Sequence, residues 1–203
     1  MPAFAAALEL GAGNECDLRL TADDRIVVFH DADGRRMCGS PLQIGLSTLA
    51  GLDQLRVGAG PIPTLESVLE MVGGRVPLLL EVKVAGDIWR WTPALRRVLS
   101  GYRGPFGVMS FDPRLGRLLA IGWPAVRRGL VVGERLSPLK RRLAQWLASP
   151  DFLAVDRASL GRPWVARARR RMPVYSWTIR RPDERRQAGV QADALIWEAD
   201  GRP

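Results

Sequence analysis

The chain has 203 residues, 47% hydrophobic and 25% charged, with a formal net charge of +9. This composition excludes a disordered or collagen-like chain, and two cysteines, Cys16 and Cys38, exclude a disulfide framework. No uncharged apolar run reaches the length of a membrane span, and Glu9 interrupts an N-terminus that lacks a basic region, so a single domain over 1–203 and a cytoplasmic address are expected.

In chain order, residues 2–10 read as a helix, with Pro2 at its start and Gly11 just past its end. Residues 14–18 read as a strand and 25–29 as a second extended run leading into His30. A short helix is expected over 47–55. Thr64 is placed to cap a helix running to about Val72, which Gly73-Gly74 ends. Residues 77–83 form the clearest strand. Helices over 88–99, 113–121, 138–147, 163–171 and 182–188 then alternate with strands over 106–109, 128–132, 152–156, 174–179 and 194–198.

This alternation predicts βαβ units and a parallel sheet. Barrel-type strands fall near residues 16, 80, 108, 130, 154, 176 and 196, with 25–29 an excursion after the first of them. The expected fold is α/β, a (β/α)8 TIM-type barrel lacking strand one and its catalytic loop, which would lie upstream of Met1.

The excess charge is arginine and concentrates late, at Lys140-Arg141-Arg142, residues 167–171, Arg180-Arg181 and Arg185-Arg186. These clusters are not interleaved with aromatic residues as a stacking platform requires. They read as solvated helix faces, and no nucleic-acid partner is expected.

Three short strings carry the chemistry: Glu15-Cys16-Asp17, His30-Asp31 and Glu81-Val82-Lys83. The i, i+2 spacing puts Glu15 with Asp17, and Glu81 with Lys83, on one face of their strands. At the ends of parallel strands such pairs converge on one mouth, where only strand ends meet solvent. Three carboxylates, a lysine and the only histidine of the chain outline a metal-dependent phosphoryl-transfer or hydrolysis site. The all-oxygen donor set suits Mg2+ or Ca2+ rather than Zn2+.

The ordered blocks Glu15-Cys16-Asp17-Leu18-Arg19-Leu20-Thr21, Val27-Val28-Phe29-His30-Asp31, Ile62-Pro63-Thr64-Leu65-Glu66 and Leu80-Glu81-Val82-Lys83 resemble those of the glycerophosphodiester phosphodiesterases. Ser110-Phe111 and Tyr175-Ser176-Trp177-Thr178-Ile179 resemble later blocks of that family. The resemblance implies a TIM-type barrel that hydrolyses a small-molecule glycerophosphodiester to glycerol 3-phosphate and an alcohol, using a divalent cation and two histidines as general acid and base. It implies Glu15, Asp17 and Glu81 as metal ligands and His30 as one of the two histidines. It also implies Lys83 as support for the phosphate and the carboxylates, and Trp177 as an aromatic at the glycerol end; an ordinary buried aromatic is an equal reading of Trp177. The His-Arg-Gly and Glu-Asn-Thr-like strings that open the family pattern have no counterpart here. Impaired hydrolysis is therefore expected, the alternative being an inactive barrel that binds phosphodiesters or metal.

Overall fold

The computed structural model describes residues 1–198. The chain divides into two compact units, Met1–Val108 and Met109–Pro203.

The first unit opens with α1 (Pro2–Glu9), β1 (Asn14–Leu20) and β2 (Ile26–Val28). The single turns α2 (Arg35–Cys38) and α3 (Leu49–Leu52) and a two-residue-per-arm hairpin, β3 (Arg56–Val57) with β4 (Gly60–Pro61), follow. Then come α4 (Leu65–Val72), β5 (Leu78–Val82) and α5 (Trp91–Leu99). β1 pairs in parallel with β5 and antiparallel with β2. Along β1, Cys16, Leu18 and Leu20 are buried while Glu15, Asp17 and Arg19 are only half-buried. Along β5, Leu78, Leu80 and Val82 are fully buried. The period of two in the sequence thus becomes one apolar face and one ionic face on adjacent strands. Thr64 caps α4 as expected, its Oγ1 accepting from the Ser67 N–H at 3.2 Å, and Gly73 ends it at φ +56°, a left-handed turn that glycine adopts freely.

β6 (Phe106–Ser110) crosses the division between the units. The second unit continues with α6 (Pro113–Gly122), β7 (Arg127–Val132), α7 (Pro138–Ala148), β8 (Phe152–Asp156), α8 (Pro163–Arg169), β9 (Val174–Ile179), α9 (Pro182–Gly189) and β10 (Ala194–Trp197). β7, β8, β9 and β10 pair in sequence, all parallel. The helices α6, α7, α8 and α9 each have proline in the first turn, where the missing N–H removes no hydrogen bond. Leu130, Val132, Leu153, Val155, Val165 and Val174 form the core between sheet and helices.

Several expectations are corrected in detail. The helix expected over 47–55 is a single turn, begun by Thr48 as N-cap and over by Asp53. The helix expected over 88–99 starts as a 3-10 turn, Ile88–Arg90, because Asp87 accepts from the Trp89 N–H at 2.9 Å and Pro93 has no N–H to extend an α-helix backward. The extended run at 25–29 pairs antiparallel with the second half of β1, where Leu18–Leu20 register against Ile26–Val28.

Candidate active site

The register of β1 on β5 builds the centre of the site. Asp17 is the direct partner of Glu81, and Glu15 of Leu79, so the ionic faces of the two strands coincide. Carboxylate oxygens of Glu15, Asp17 and Glu81 lie within 4.8 Å of one another. The Lys83 ammonium enters the same cluster, 2.9 Å from Asp17 Oδ1 and bonded also to Glu81 Oε1. Its backbone is fixed as well, the Lys83 N–H donating to the Leu18 carbonyl at 3.0 Å.

Glu81 is buried, only 8% exposed. Burial pushes its carboxyl above the ordinary carboxylate value, with the hydrogen bond from Lys83 pulling the other way. Burial also acts to lower Lys83, but its bonds to Glu81 and Asp17 outweigh this and hold the ammonium above its ordinary value. The two strands thus concentrate negative charge and supply one fixed positive charge to it.

The β1–β2 hairpin delivers the histidine. Its turn places Asp24 at φ +59°, a left-handed conformation that aspartate tolerates. The Thr21 hydroxyl accepts from the Arg25 N–H at 2.9 Å and donates to Asp23 at 2.6 Å. The chain then runs back along β1 until the Phe29 N–H donates to the Asp17 carbonyl at 2.9 Å. His30 follows immediately, and its carbonyl accepts from both Nε and Nη2 of Arg19, at 3.1 and 2.7 Å.

His30 Nδ1 lies 2.7 Å from Asp31 Oδ1, and Arg36 forks onto both oxygens of Asp31 at 2.7 and 2.9 Å. The bonds from Arg36 and then His30 hold the Asp31 carboxyl down at about 2. An ionised carboxylate only accepts, so Nδ1 carries the proton and Nε2 is the nitrogen available for exchange. The imidazole itself is largely solvent-facing.

The acidic triad fits a hard divalent cation. All its donors are carboxylate oxygens, and two oxygens bound to one ion at roughly 2.3 to 2.6 Å stand no more than about 5 Å apart. The observed spacing meets that condition.

Of the residues singled out from sequence, the structure gathers Glu15, Asp17, Glu81 and Lys83 into one cluster and brings His30 back beside Asp17. Trp177 lies in the second unit on β9, its Nε1–H donating to the Ala154 carbonyl at 3.1 Å and its ring edge-on to Phe111 at 5.5 Å. Two participants were not singled out. Arg19 continues the i, i+2 series of Glu15 and Asp17, a signal present in the sequence. Burial lowers its guanidinium from the ordinary value, opposed by the charges of Asp17, Asp31 and Glu81. Arg36 sits on α2, and nothing in its local sequence announces that it reaches Asp31.

No helix among the described residues is long and apolar enough to cross a membrane. No curated protein sequence matches the chain. Among solved structures, it resembles a phosphodiesterase of Oleispira antarctica determined in complex with its product sn-glycerol-3-phosphate, with 22% identity and a TM-score of 0.86 over 98% of this chain and 87% of that one. It also resembles the glycerophosphodiester phosphodiesterases of Thermotoga maritima, with 25% identity and a TM-score of 0.79 over 97% and 86% of the two chains, and of Parabacteroides distasonis, with 24% and 0.78 over 97% and 84%. The fold is therefore the α/β, TIM-type fold that the strand and helix alternation pointed to. The model of the glycerophosphoryl diester phosphodiesterase family matches residues 1–199, and the chain belongs to that family.

Proposed function

We propose that this chain acts on glycerophosphodiesters, cleaving the phosphodiester bond to give glycerol 3-phosphate and an alcohol at a slow rate. The observation that carries this reading is the convergence of Glu15, Asp17 and Glu81 with Lys83 on the paired faces of β1 and β5. The product held by the Oleispira antarctica relative supports the substrate class.

In this reading Glu15, Asp17 and Glu81 hold a divalent cation, Mg2+ or Ca2+, which when bound supplies Lewis-acid polarisation of a phosphoryl oxygen. Lys83, bonded to both Asp17 and Glu81, adds fixed positive charge toward the phosphate. His30 moves the proton at Nε2, with Asp31 and Arg36 fixing the ring's tautomer and plane. Trp177 is assigned to the glycerol end of the ligand by family resemblance.

The slow rate follows from composition. The chain has one histidine, so one imidazole has to serve where the family chemistry uses two, and a missing acid or base costs roughly 10² to 10⁴ in rate. The same observation supports a second reading, a barrel that binds phosphodiesters without cleaving them. The test follows glycerol 3-phosphate release from glycerophosphocholine with Mg2+ or Ca2+ present, comparing the chain with His30→Ala and Glu81→Gln. Weak turnover lost in both variants supports the proposal. Diester binding by calorimetry with no turnover supports the second reading, and turnover unchanged in His30→Ala refutes the assigned chemistry.

A further inference from the structure

α7 presents its side chains the wrong way round for a helix packed in a globular unit. Its buried residues are Ala144 and Ala148, whereas Leu139, Leu143 and Trp146 are 78%, 58% and 76% exposed. The exposed three stand at i, i+4 and i+7, a single stripe along the helix. The packing explains which side faces in. α6 approaches so closely that a Cβ on Gly116 would lie 2.8 Å from the Cβ of Ala148, leaving room there only for small side chains. The large apolar residues are left facing water, an exposed apolar stripe of the kind that marks an interaction surface.

The surroundings of the stripe are cationic. Lys140, Arg141 and Arg142 lie on α7, and Arg167 and Arg171 across a groove toward α8. Among the described residues none of these five is ion-paired with a carboxylate. The groove, about 640 Å3, is lined among others by Arg141, Gln145, Trp146, Trp164, Arg167 and Arg171. The Arg141 guanidinium stacks 4.2 Å above the Trp164 ring. The fold therefore brings aromatic rings to basic clusters that are not interleaved with them in the sequence.

We propose that this face of the second unit docks on the surface of an anionic phospholipid bilayer. Leu139, Leu143 and Trp146 enter the boundary between headgroups and acyl chains, and the lysine and arginines meet lipid phosphates. A short helix with a Leu/Trp stripe flanked by lysine and arginine is suited to lying in the plane of that interface. Nucleic acid would engage the arginines and the rings but leave both leucines wet. A second copy on a two-fold axis would press one set of five cations against another. Only an anionic surface with an apolar layer beneath it uses every feature of the face.

The test is co-sedimentation of the whole chain with phosphatidylglycerol-rich vesicles and with phosphatidylcholine vesicles, at low and high salt. Binding to the anionic vesicles that weakens with salt is expected. Neutralising Lys140 and Arg142 as glutamines should weaken it by roughly fivefold per charge, and Trp146→Ser by roughly tenfold or more. All three positions are exposed, and circular dichroism confirms that the variants stay folded. A shift of Trp146 emission on vesicle addition, absent in Trp146→Phe, reports insertion directly. Equal binding to both vesicle types, or binding indifferent to Trp146→Ser, overturns the proposal. So does retention on single-stranded RNA, or self-association abolished by Leu143→Ser, in a chain that ignores vesicles.

Discussion

Asp17 and Glu81 are register partners across β1 and β5, and one ammonium, that of Lys83, bonds to both. The lysine is thus an internal counter-ion for carboxylates that would otherwise repel each other on paired strands. Lys83→Met is expected to destabilise the metal-free protein by about 1 to 3 kcal/mol, a partly buried charge having lost its partner. Millimolar Mg2+ or Ca2+ should narrow that gap, because a bound cation replaces the lost charge and stabilises by mass action. Urea denaturation with and without the metal checks this, and Glu81→Gln should abolish the metal effect. A gap that the metal leaves unchanged would mean that the three carboxylates do not share an ion.

The Asp31 pair supplies a pH dependence. Its folded value, about 2, lies below the ordinary 3.8. The stabilisation is therefore fully present above about pH 4 and is lost as the pH falls through about 2. Because His30 and Arg36 are well exposed, solvent screening limits the effect to roughly 1 kcal/mol. Asp31→Asn should lower stability by that amount at pH 7 and converge on the parent protein below pH 2. Parallel curves across the whole range would show that the ionised pair contributes nothing.

The site was legible where it depends on strand period and opaque where it depends on tertiary return. Glu15, Asp17, Glu81 and Lys83 are visible in the sequence because a period of two puts charged residues on one side of otherwise apolar strands. The exact pairing of Asp17 with Glu81 is a register, set by contacts more than sixty residues apart, and no local pattern encodes it. Arg19 carried the same period-two signal, but an arginine beside an acidic pair on a strand reads equally well as a surface ion pair. Arg36 depends on how the segment after His30 folds over Asp31. Within the fold, helix starts were the best marked, since Pro113, Pro138, Pro163 and Pro182 each open a helix. Least marked was the inverted face of α7, whose leucines and tryptophan follow an ordinary helical spacing and say nothing about which side is wet.

Gly129 on β7 faces Phe152 on β8 as its register partner. A Cβ there would collide with the Phe152 ring and lie 2.7 Å from the Met109 Cβ. The ring cannot retreat freely, since it packs on Tyr175 at 5.1 Å. Gly129→Ala is expected to cost about 1 to 3 kcal/mol by overpacking, lowering the melting temperature by roughly 2 to 4 °C per kcal/mol. Calorimetry checks it, and an unchanged melting temperature would show that the β7–β8 pair can open to admit a methyl group.

Arg19 and His30 give the sharpest test of how the hairpin sets the histidine. Two guanidinium nitrogens converge on one carbonyl oxygen, a geometry that lysine cannot reproduce although it keeps the charge. Arg19→Lys should leave Asp17, Asp31 and Glu81 with a nearby cation while loosening the backbone that carries the imidazole. A misplacement of about 1 Å in a reacting group can cost up to about a hundredfold in rate. The expected signature is therefore a fall in kcat of roughly 10- to 100-fold with KM nearly unchanged, and Arg19→Met should raise KM as well by removing the charge. Urea denaturation should place the lysine variant within about 1 kcal/mol of the parent protein, which separates misplacement from unfolding. If Arg19→Lys keeps full turnover, the Phe29–Asp17 hydrogen bond and the Asp31–Arg36 pair suffice to hold His30, and the guanidinium fork has no role in positioning it.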